Sequence, residues 1–312
     1  MLFYFAPMEG LTDSVYRRLH HTYFPGIDFY FMPFFSPTTE DSLSPREARE
    51  LAPEPGVPAI PQVLTKDPQA FLRAAKILAD FGYPQINLNL GCPSGTVVAK
   101  GKGSGMLRDL DSLSRFLDTI FSETPLPISI KTRIGMEGTE EWPELLSLFN
   151  RYPVEQLIVH PRLRREFYKG SVHMDAFELA YRESRNSLCY NGDLTSRAQI
   201  QAFSSAHPDI SALMLGRGLI GNPGMLCPGG TGEKNLEQFH NELLENYLVT
   251  FGGSRNAMFR MKEHWRYLLC LFDGSEKLGK QLRKTTDLAQ FRNITAQIFH
   301  TLPMRSNLNP DW

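Results

Sequence analysis

Eight short apolar runs recur along the first two thirds of the chain, at residues 2–6, 28–32, 59–64, 85–89, 126–131, 156–160, 187–191 and 211–215. Several stretches between them carry helical spacing. Asp67-Pro68 opens one as an N-cap with proline at the first helical position. Phe71, Ala74, Ala75, Leu78 and Ala79 then recur three and four apart, which places them on one helix face. Leu110–Phe121, Trp142–Phe149 and Ser196–Phe203 repeat the pattern. Strand and helix in alternation imply a parallel sheet. Eight such units imply closure into an α/β (β/α)8 TIM barrel, which takes about 250 residues and so fits this chain. An open, doubly wound sheet is the competing arrangement.

After Gly218 the alternation stops. Cys227-Pro228-Gly229-Gly230-Thr231-Gly232 reads as a flexible joint. Beyond it, three groups have helical spacing: Leu236 to Leu248, Met258 to Leu269, and Leu288 to Ile298. The expected organisation is a barrel domain over 1–230 and an all-helical domain over 231–312. Arg255 to Arg305 holds ten Lys/Arg against four Asp/Glu, a segment charge of +6 in a chain of net charge −1. Such a tail suits a polyanionic partner, or else is a solubilising helix surface. Cys92, Cys189, Cys227 and Cys270 have neither metal-ligand nor disulfide-framework spacing. No metal is expected, and free thiols suit a reducing, cytoplasmic setting. No apolar run reaches the roughly 18 residues of a membrane helix.

In a barrel of this kind, chemistry collects at the C-terminal strand ends. Pro7-Met8-Glu9-Gly10 follows the first run, and Gln62 lies in the third. The fourth run alternates Gln85, Asn87 and Asn89 with Ile86, Leu88 and Leu90, then enters Gly91-Cys92-Pro93. The fifth ends in Lys131-Thr132-Arg133, the sixth in His160-Pro161-Arg162. Asn191-Gly192-Asp193 and Gly216-Arg217-Gly218 close the last two. Barrels often bind phosphate at those two positions, where glycine admits the backbone and a guanidinium grips oxygen pairs. A lysine such as Lys131 in a barrel mouth has its pKa lowered by burial unless an anion compensates. Taken alone, Cys92 reads as a small buried hydrophobe. Taken with the ring of polar strand ends, it reads as a reactive group.

The motifs Ala6-Pro7-Met8-Glu9-Gly10-Leu11-Thr12-Asp13, Leu88-Asn89-Leu90-Gly91-Cys92-Pro93, Lys131-Thr132-Arg133, Asn191-Gly192-Asp193 and Gly216-Arg217-Gly218 together resemble those of the tRNA-dihydrouridine synthase family. The resemblance implies reduction of the C5=C6 bond of uridine in tRNA, with FMN recharged by NADPH. It implies that Cys92 donates a proton to C5 and that Asn89 holds the uracil or flavin edge. It places Pro7, Met8, Glu9, Gln62, Lys131 and His160 against the FMN, and Asn191, Gly192, Asp193, Gly216 and Arg217 at its phosphate. Anionic reduced flavin would be the anion beside Lys131. Two positions depart from the family: Pro161 and Leu163 stand where it usually has Gly and Thr, and Asn87 where it often has Asp.

RNA contacts are expected from Lys100 and Lys102 in the glycine-containing segment after Cys92, which is either a closing lid or a plain flexible loop. Arg133 at the end of the fifth run, the cluster Arg162, Arg164, Arg165 and Lys169 beside Tyr168 after the sixth, and Arg260 and Lys262 in the tail are further expected contacts. The partner is tRNA, with no membrane, and the chain is expected to be a monomer. Two other functions compete. One is an FMN barrel oxidoreductase acting on a free pyrimidine or other small molecule. The other is a tRNA-binding protein without catalysis.

Overall fold

The structure is a computed structural model that describes residues 1–37, 43–308 and 310. Residues 38–42 of the expected barrel domain and residues 309, 311 and 312 of the expected helical domain lie outside the described ones. The strands are β1 (Leu2–Phe5), β2 (Phe29–Phe31), β3 (Ala59–Ile60), β4 (Gln62–Val63), β5 (Ile86–Leu90), β6 (Ile128–Arg133), β7 (Leu157–His160), β8 (Leu188–Tyr190) and β9 (Ala212–Leu215). Their order in the sheet is β3-β2-β1-β9-β8-β7-β6-β5-β4, and every registered pair is parallel.

The two ends of that order, β3 and β4, are separated in the chain by Pro61 alone. Proline lacks the N–H that a ladder needs, which splits the strand. The carbonyls nevertheless alternate as in one continuous strand. Those of Pro58 and Ile60 accept from Tyr30 and Met32, while that of Pro61 accepts from Asn87 N. The ring therefore closes through the backbone, and nine strand segments make an eight-stranded barrel. All eight apolar runs of the sequence become strands. Lys131 lies within β6 rather than at its end, because the ladder to β7 continues to the pair Arg133↔His160.

The barrel interior has two halves. Tyr4, Phe31, Ile60, Ile158, Cys189 and Met214 pack together as a buried apolar cluster. Each such side chain contributes about 1.5–3 kcal/mol of burial. From β4, β5 and β6 come Gln62, Asn87, Asn89 and Ser129, all buried, and the half-buried Lys131. The outer helices follow the spacings read above. Pro68–Asp80 is capped by the Asp67 carboxylate, which accepts from Gln69 N at 2.9 Å. Leu110–Glu123, Trp142–Phe149 and Arg197–Ala206 form as well.

By contacts the chain divides into two compact units. One comprises Met1–Pro7, Asp28–Gly192 and His207–Met214. The other comprises Met8–Ile27, Asp193–Ala206 and the chain from Leu215 onward. No single cut in the sequence separates them. The second unit holds the tail helices Glu233–Thr250, Ser254–Leu268, Glu276–Lys284 and Leu288–Thr301. Three of these were legible as apolar periods. Glu276–Lys284 was not, because it buries only Gly279 and Leu282.

The core of the second unit is built on neutral imidazoles. His264 stacks on Tyr16 at 4.8 Å and 5°, and His20 stacks on Tyr16 at 5.8 Å. Trp265 Nε1 donates to His240 Nε2 at 3.0 Å. Burial lowers His20 and His264 to about 3 and His240 to about 4. Because these values lie below that of a free imidazole, the unfolded chain binds more protons as pH falls. The stability is full above about pH 6.5 and is lost as pH drops toward 4, by up to about 1.4 kcal/mol per imidazole per pH unit. Denaturant midpoints at about pH 7.5 and about pH 5.5 check this, since few free carboxylates titrate in that window. The midpoint is expected to fall at the lower pH, and equal midpoints would contradict the neutral-imidazole core.

Candidate active site

In the first unit a chain of amides crosses three strands. Asn89 Nδ2 donates to Gln62 Oε1 at 2.7 Å, Gln62 Nε2 to Asn87 Oδ1 at 2.7 Å, and Asn87 Nδ2 to Ser129 Oγ at 2.8 Å. All four residues are buried. Asn87 therefore accepts on one side and donates on the other. An aspartate here would lose the donor, which accounts for the neutral residue at this position. Ser129 was not singled out from the sequence, since one serine in an apolar run carries no signal of its own.

The same chain fixes Cys92. Asn89 Oδ1 accepts from Gly91 N at 3.0 Å and from Cys92 N at 2.9 Å. The Cys92 carbonyl accepts from Ser104 Oγ at 2.8 Å and Ser104 N at 3.2 Å. Cys92 itself is half-buried, a position open enough to meet a ligand. Ser104 lies in the segment expected as a lid or flexible loop. The structure corrects that expectation for its second half. Gly103–Arg108 is a short 3-10 helix in which residues 103–107 are buried, and a Cβ on Gly103 would sit 3.0 Å from Cys92 Cβ and Val97. These glycines serve close packing. Lys100 is exposed and Lys102 half-buried.

Lys131 pairs in register with Asn89 on β5 and Ile158 on β7. Its side chain is half-buried, and among the described residues it makes no hydrogen bond or ion pair. Withdrawal from water, with Arg133 as the second cause, lowers its pKa to about 8. A cation held in that state, without a protein anion to offset its desolvation, is a place for an electron-rich ligand.

Arg133 and Arg162, read from the sequence as RNA contacts, are instead buried. Arg133 donates from Nε to Gly91 O at 3.0 Å, from Nη1 to Leu163 O at 2.8 Å and from Nη2 to Phe167 O at 2.6 Å. Arg162 donates to Lys169 O at 3.3 Å and Gly170 O at 2.5 Å. It also lies 3.1 Å from His160 Nε2, which must accept because a guanidinium has only donors. Guanidiniums spent on carbonyls do not reach phosphates, so both hold the loop after β7. Arg164 is half-buried and lies over the Phe167 ring at 5.5 Å. Asn191 donates from Nδ2 to Met214 O at 2.8 Å, and Gly192 is demanded by Tyr190, whose hydroxyl would lie 2.0 Å from a Cβ there.

In the second unit Arg217 donates to Asp193 Oδ1 at 2.6 Å, with the carboxylate side chain 40% exposed. The pair is therefore reachable by a ligand that would take over the guanidinium. Gly216 precedes Arg217 and is half-buried. Met8 O accepts from Leu11 N and Thr12 N, which curls the turn that leaves Glu9 exposed. Pro7, assigned to the other unit, is half-buried. Arg260, expected on RNA, instead bonds Gly10 O and pairs with Asp13 at 3.8 Å, holding that turn. Lys262 likewise bonds the carbonyls of Thr285 and Arg283 at the end of Glu276–Lys284. Long basic side chains find backbone acceptors as readily as phosphates, and sequence alone does not separate the two.

The family model described as dihydrouridine synthase matches residues 4–308. A protein of Staphylococcus aureus (strain COL) named "Probable tRNA-dihydrouridine synthase" is 30% identical over 308 residues, covering 94% of this chain and 91% of that one. A protein of the same name from Rhizobium leguminosarum bv. phaseoli is 26% identical over 310 residues, covering 95% and 94%. The tRNA-dihydrouridine synthase B of Pasteurella multocida (strain Pm70) is 27% identical over 221 residues, covering 70% of this chain and 66% of that one. Among solved structures, a morphinone reductase variant in complex with tetrahydroNAD is similar in fold, with a TM-score of 0.52 at 9% identity over 77% of this chain and 86% of that one. The match across nearly the whole chain shows that the chain belongs to the dihydrouridine synthase family.

Proposed function

We propose that this protein reduces uridine to dihydrouridine in tRNA, with FMN as resident cofactor, NADPH as its reductant and Cys92 as the proton donor. The observation that carries the cofactor is Lys131. A half-buried cation without a protein anion, lowered to about 8 and next to the Asn89–Gln62 pair, fits the electron-rich edge of a flavin. Lys131, Gln62 and His160 would hold the ring system, with Pro7 and Met8 beside it. Asn191, Asp193, Gly216 and Arg217 would hold the phosphate. Bound FMN supplies the hydride for the uracil C6 position.

The chain's own part is the proton. Thiols as a class titrate near 8.5 and are mostly protonated at neutral pH, so Cys92 Sγ can act as a general acid toward C5. Lys131 and Arg133 both interact electrostatically with Cys92. They stabilise the thiolate left behind when the proton moves. Asn89 and Ser104 clamp the backbone on either side of Cys92, which keeps Sγ in place without reorganisation. The uracil must leave its stack to reach this acid, as in other base-modifying enzymes. The basic helices of 231–312 receive the tRNA body, and the protein acts as a cytoplasmic monomer. No described helix is long and apolar enough to cross a membrane.

Purified protein should be yellow, with the flavin band near about 450 nm bleached by NADPH. Cys92→Ala should keep that band and lose dihydrouridine formation by roughly 10²-fold or more, measured by mass spectrometry of tRNA from a deletion strain. Full activity in Cys92→Ala would refute the acid. For Arg217→Ala the expected outcome is a fall in flavin retained through gel filtration. Unchanged retention would remove the phosphate assignment.

A further inference from the structure

The turn after β1 is held by a side chain from the helical tail. Residues Met8 to Asp13, Tyr247, Arg260 and His264 all belong to the second unit. Arg260 bonds the Gly10 carbonyl through Nη1, and its Nε lies 3.8 Å from Asp13 Oδ2. Gly10 has φ +78°, and a Cβ there would sit 2.7 Å from Arg260 Nη1, so glycine alone admits both the turn and the guanidinium. The same guanidinium lies over the Phe251 ring, 5.6 Å from its centroid. On the far side of the turn, the buried Arg17 donates to the Thr12 carbonyl at 2.8 Å, and Met8 N donates to Thr12 Oγ1 at 2.9 Å. Met8, Glu9 and Gly10 are thus pinned between two guanidiniums.

Further contacts fix Asp13 for this task. Its Oδ1 accepts from Tyr16 N at 3.0 Å, which caps the helix Ser14–Tyr23, and from the Tyr247 hydroxyl at 3.1 Å. A carboxylate only accepts, so the one Tyr247 proton points to Asp13. Burial holds that hydroxyl well above the ordinary tyrosine value, which keeps the proton on it. His264 Nε2 lies 3.2 Å from the same hydroxyl oxygen and must therefore donate to it. The lone pair of His264 is then on Nδ1, which has no hydrogen-bond partner among the described residues. The run His264–Tyr247–Asp13 anchors one carboxylate oxygen and leaves the other to Arg260. The Arg260 and Asp13 side chains are 21% and 14% exposed, so the pair is screened less than a bridge on the surface.

We infer that Arg260 and Asp13 are positioning residues for the cofactor: the pair holds Met8, Glu9 and Gly10 in the shape that the flavin meets, so Arg260 sets flavin affinity and not tRNA affinity. This rests on the FMN reading above. A guanidinium committed to a carbonyl and a carboxylate has little left to offer a phosphate. Without it the turn must be ordered each time a ligand binds, and affinity falls by that cost. Asp193, Gly216 and Arg217, proposed for the flavin phosphate, lie in the same unit. The helical tail is thereby part of the cofactor site and not an RNA-binding appendage alone.

The test uses the full-length, flavin-loaded variants Arg260→Gln and Asp13→Asn and the double variant, with far-UV circular dichroism to confirm folding. Asparagine caps a helix as well as aspartate does, so Asp13→Asn removes the charge and leaves the cap. Flavin released on dilution, read by its fluorescence, gives the dissociation constant. Each single variant should raise that constant about tenfold or more, the size of one charge-assisted hydrogen bond. The double variant should stay within about twofold of the worse single variant, because the two side chains act as one unit. The salt dependence of tRNA binding at saturating FMN should keep its native slope in Arg260→Gln, whereas loss of a phosphate contact would lower that slope by about one. Arg260→Lys keeps the charge but not the two-acceptor fork, and it carries the same flavin expectation where the neutral variant does not fold. Native flavin affinity in either folded single variant would overturn the inference, as would losses that add in the double variant. A reduced salt slope in Arg260→Gln would return Arg260 to the RNA and overturn it too. A native protein that binds no flavin would remove the FMN reading itself, and this inference with it.

Discussion

One buried guanidinium organises the loops around Cys92. Arg133 reaches from β6 to the carbonyls of Gly91, Leu163 and Phe167, so a single side chain joins the loop after β5 to the loop after β7. Burial lowers its pKa to about 10, which still leaves it charged at neutral pH. A buried charge is tolerated only when its donors are matched, and three carbonyls aimed at one guanidinium do that. The geometry cannot slip without stranding the charge. That is how two irregular loops acquire the rigidity of the barrel that carries them.

The barrel was legible from the sequence because its code is redundant. Eight apolar runs, each near the length of a strand and separated by helical spacing, leave few other ways to bury the same surface. The polar character of the rim was legible for a similar reason: polar residues at C-terminal strand ends have little to do in packing. What escaped was how individual donors are spent. Arg133, Arg162, Arg260 and Lys262 look in sequence like cations waiting for phosphate. In the fold each finds a carbonyl first. Sequence records the charge of a side chain but not its nearest acceptor. For the same reason Ser104 and Ser129 were invisible, being single hydroxyls whose value lies in the partners they meet.

The glycines make the same point from the backbone side. In a motif such as Asn191-Gly192-Asp193 a glycine invites a ligand. Gly192 is explained by the Tyr190 hydroxyl, and Gly218 by the Leu194 carbonyl, which would lie 2.6 Å from a Cβ. Both are required by the chain's own close packing. Neither glycine therefore points to a ligand by itself.

The divided barrel interior explains why Cys92 and Lys131 stand together. An apolar half built on Tyr4, Phe31, Ile158 and Met214 provides the cohesion of the barrel. The other half can then carry amides, a hydroxyl and a cation. The amide chain from Asn89 to Ser129 is closed and neutral along its length, so it offsets no charge. The charged groups that act on Lys131 are Arg133, Cys189 and Cys92, with no carboxylate among them. Asn89 links the two groups of this half: it clamps the backbone at Cys92 and pairs in register with Lys131, so one residue of β5 fixes the thiol relative to the cation.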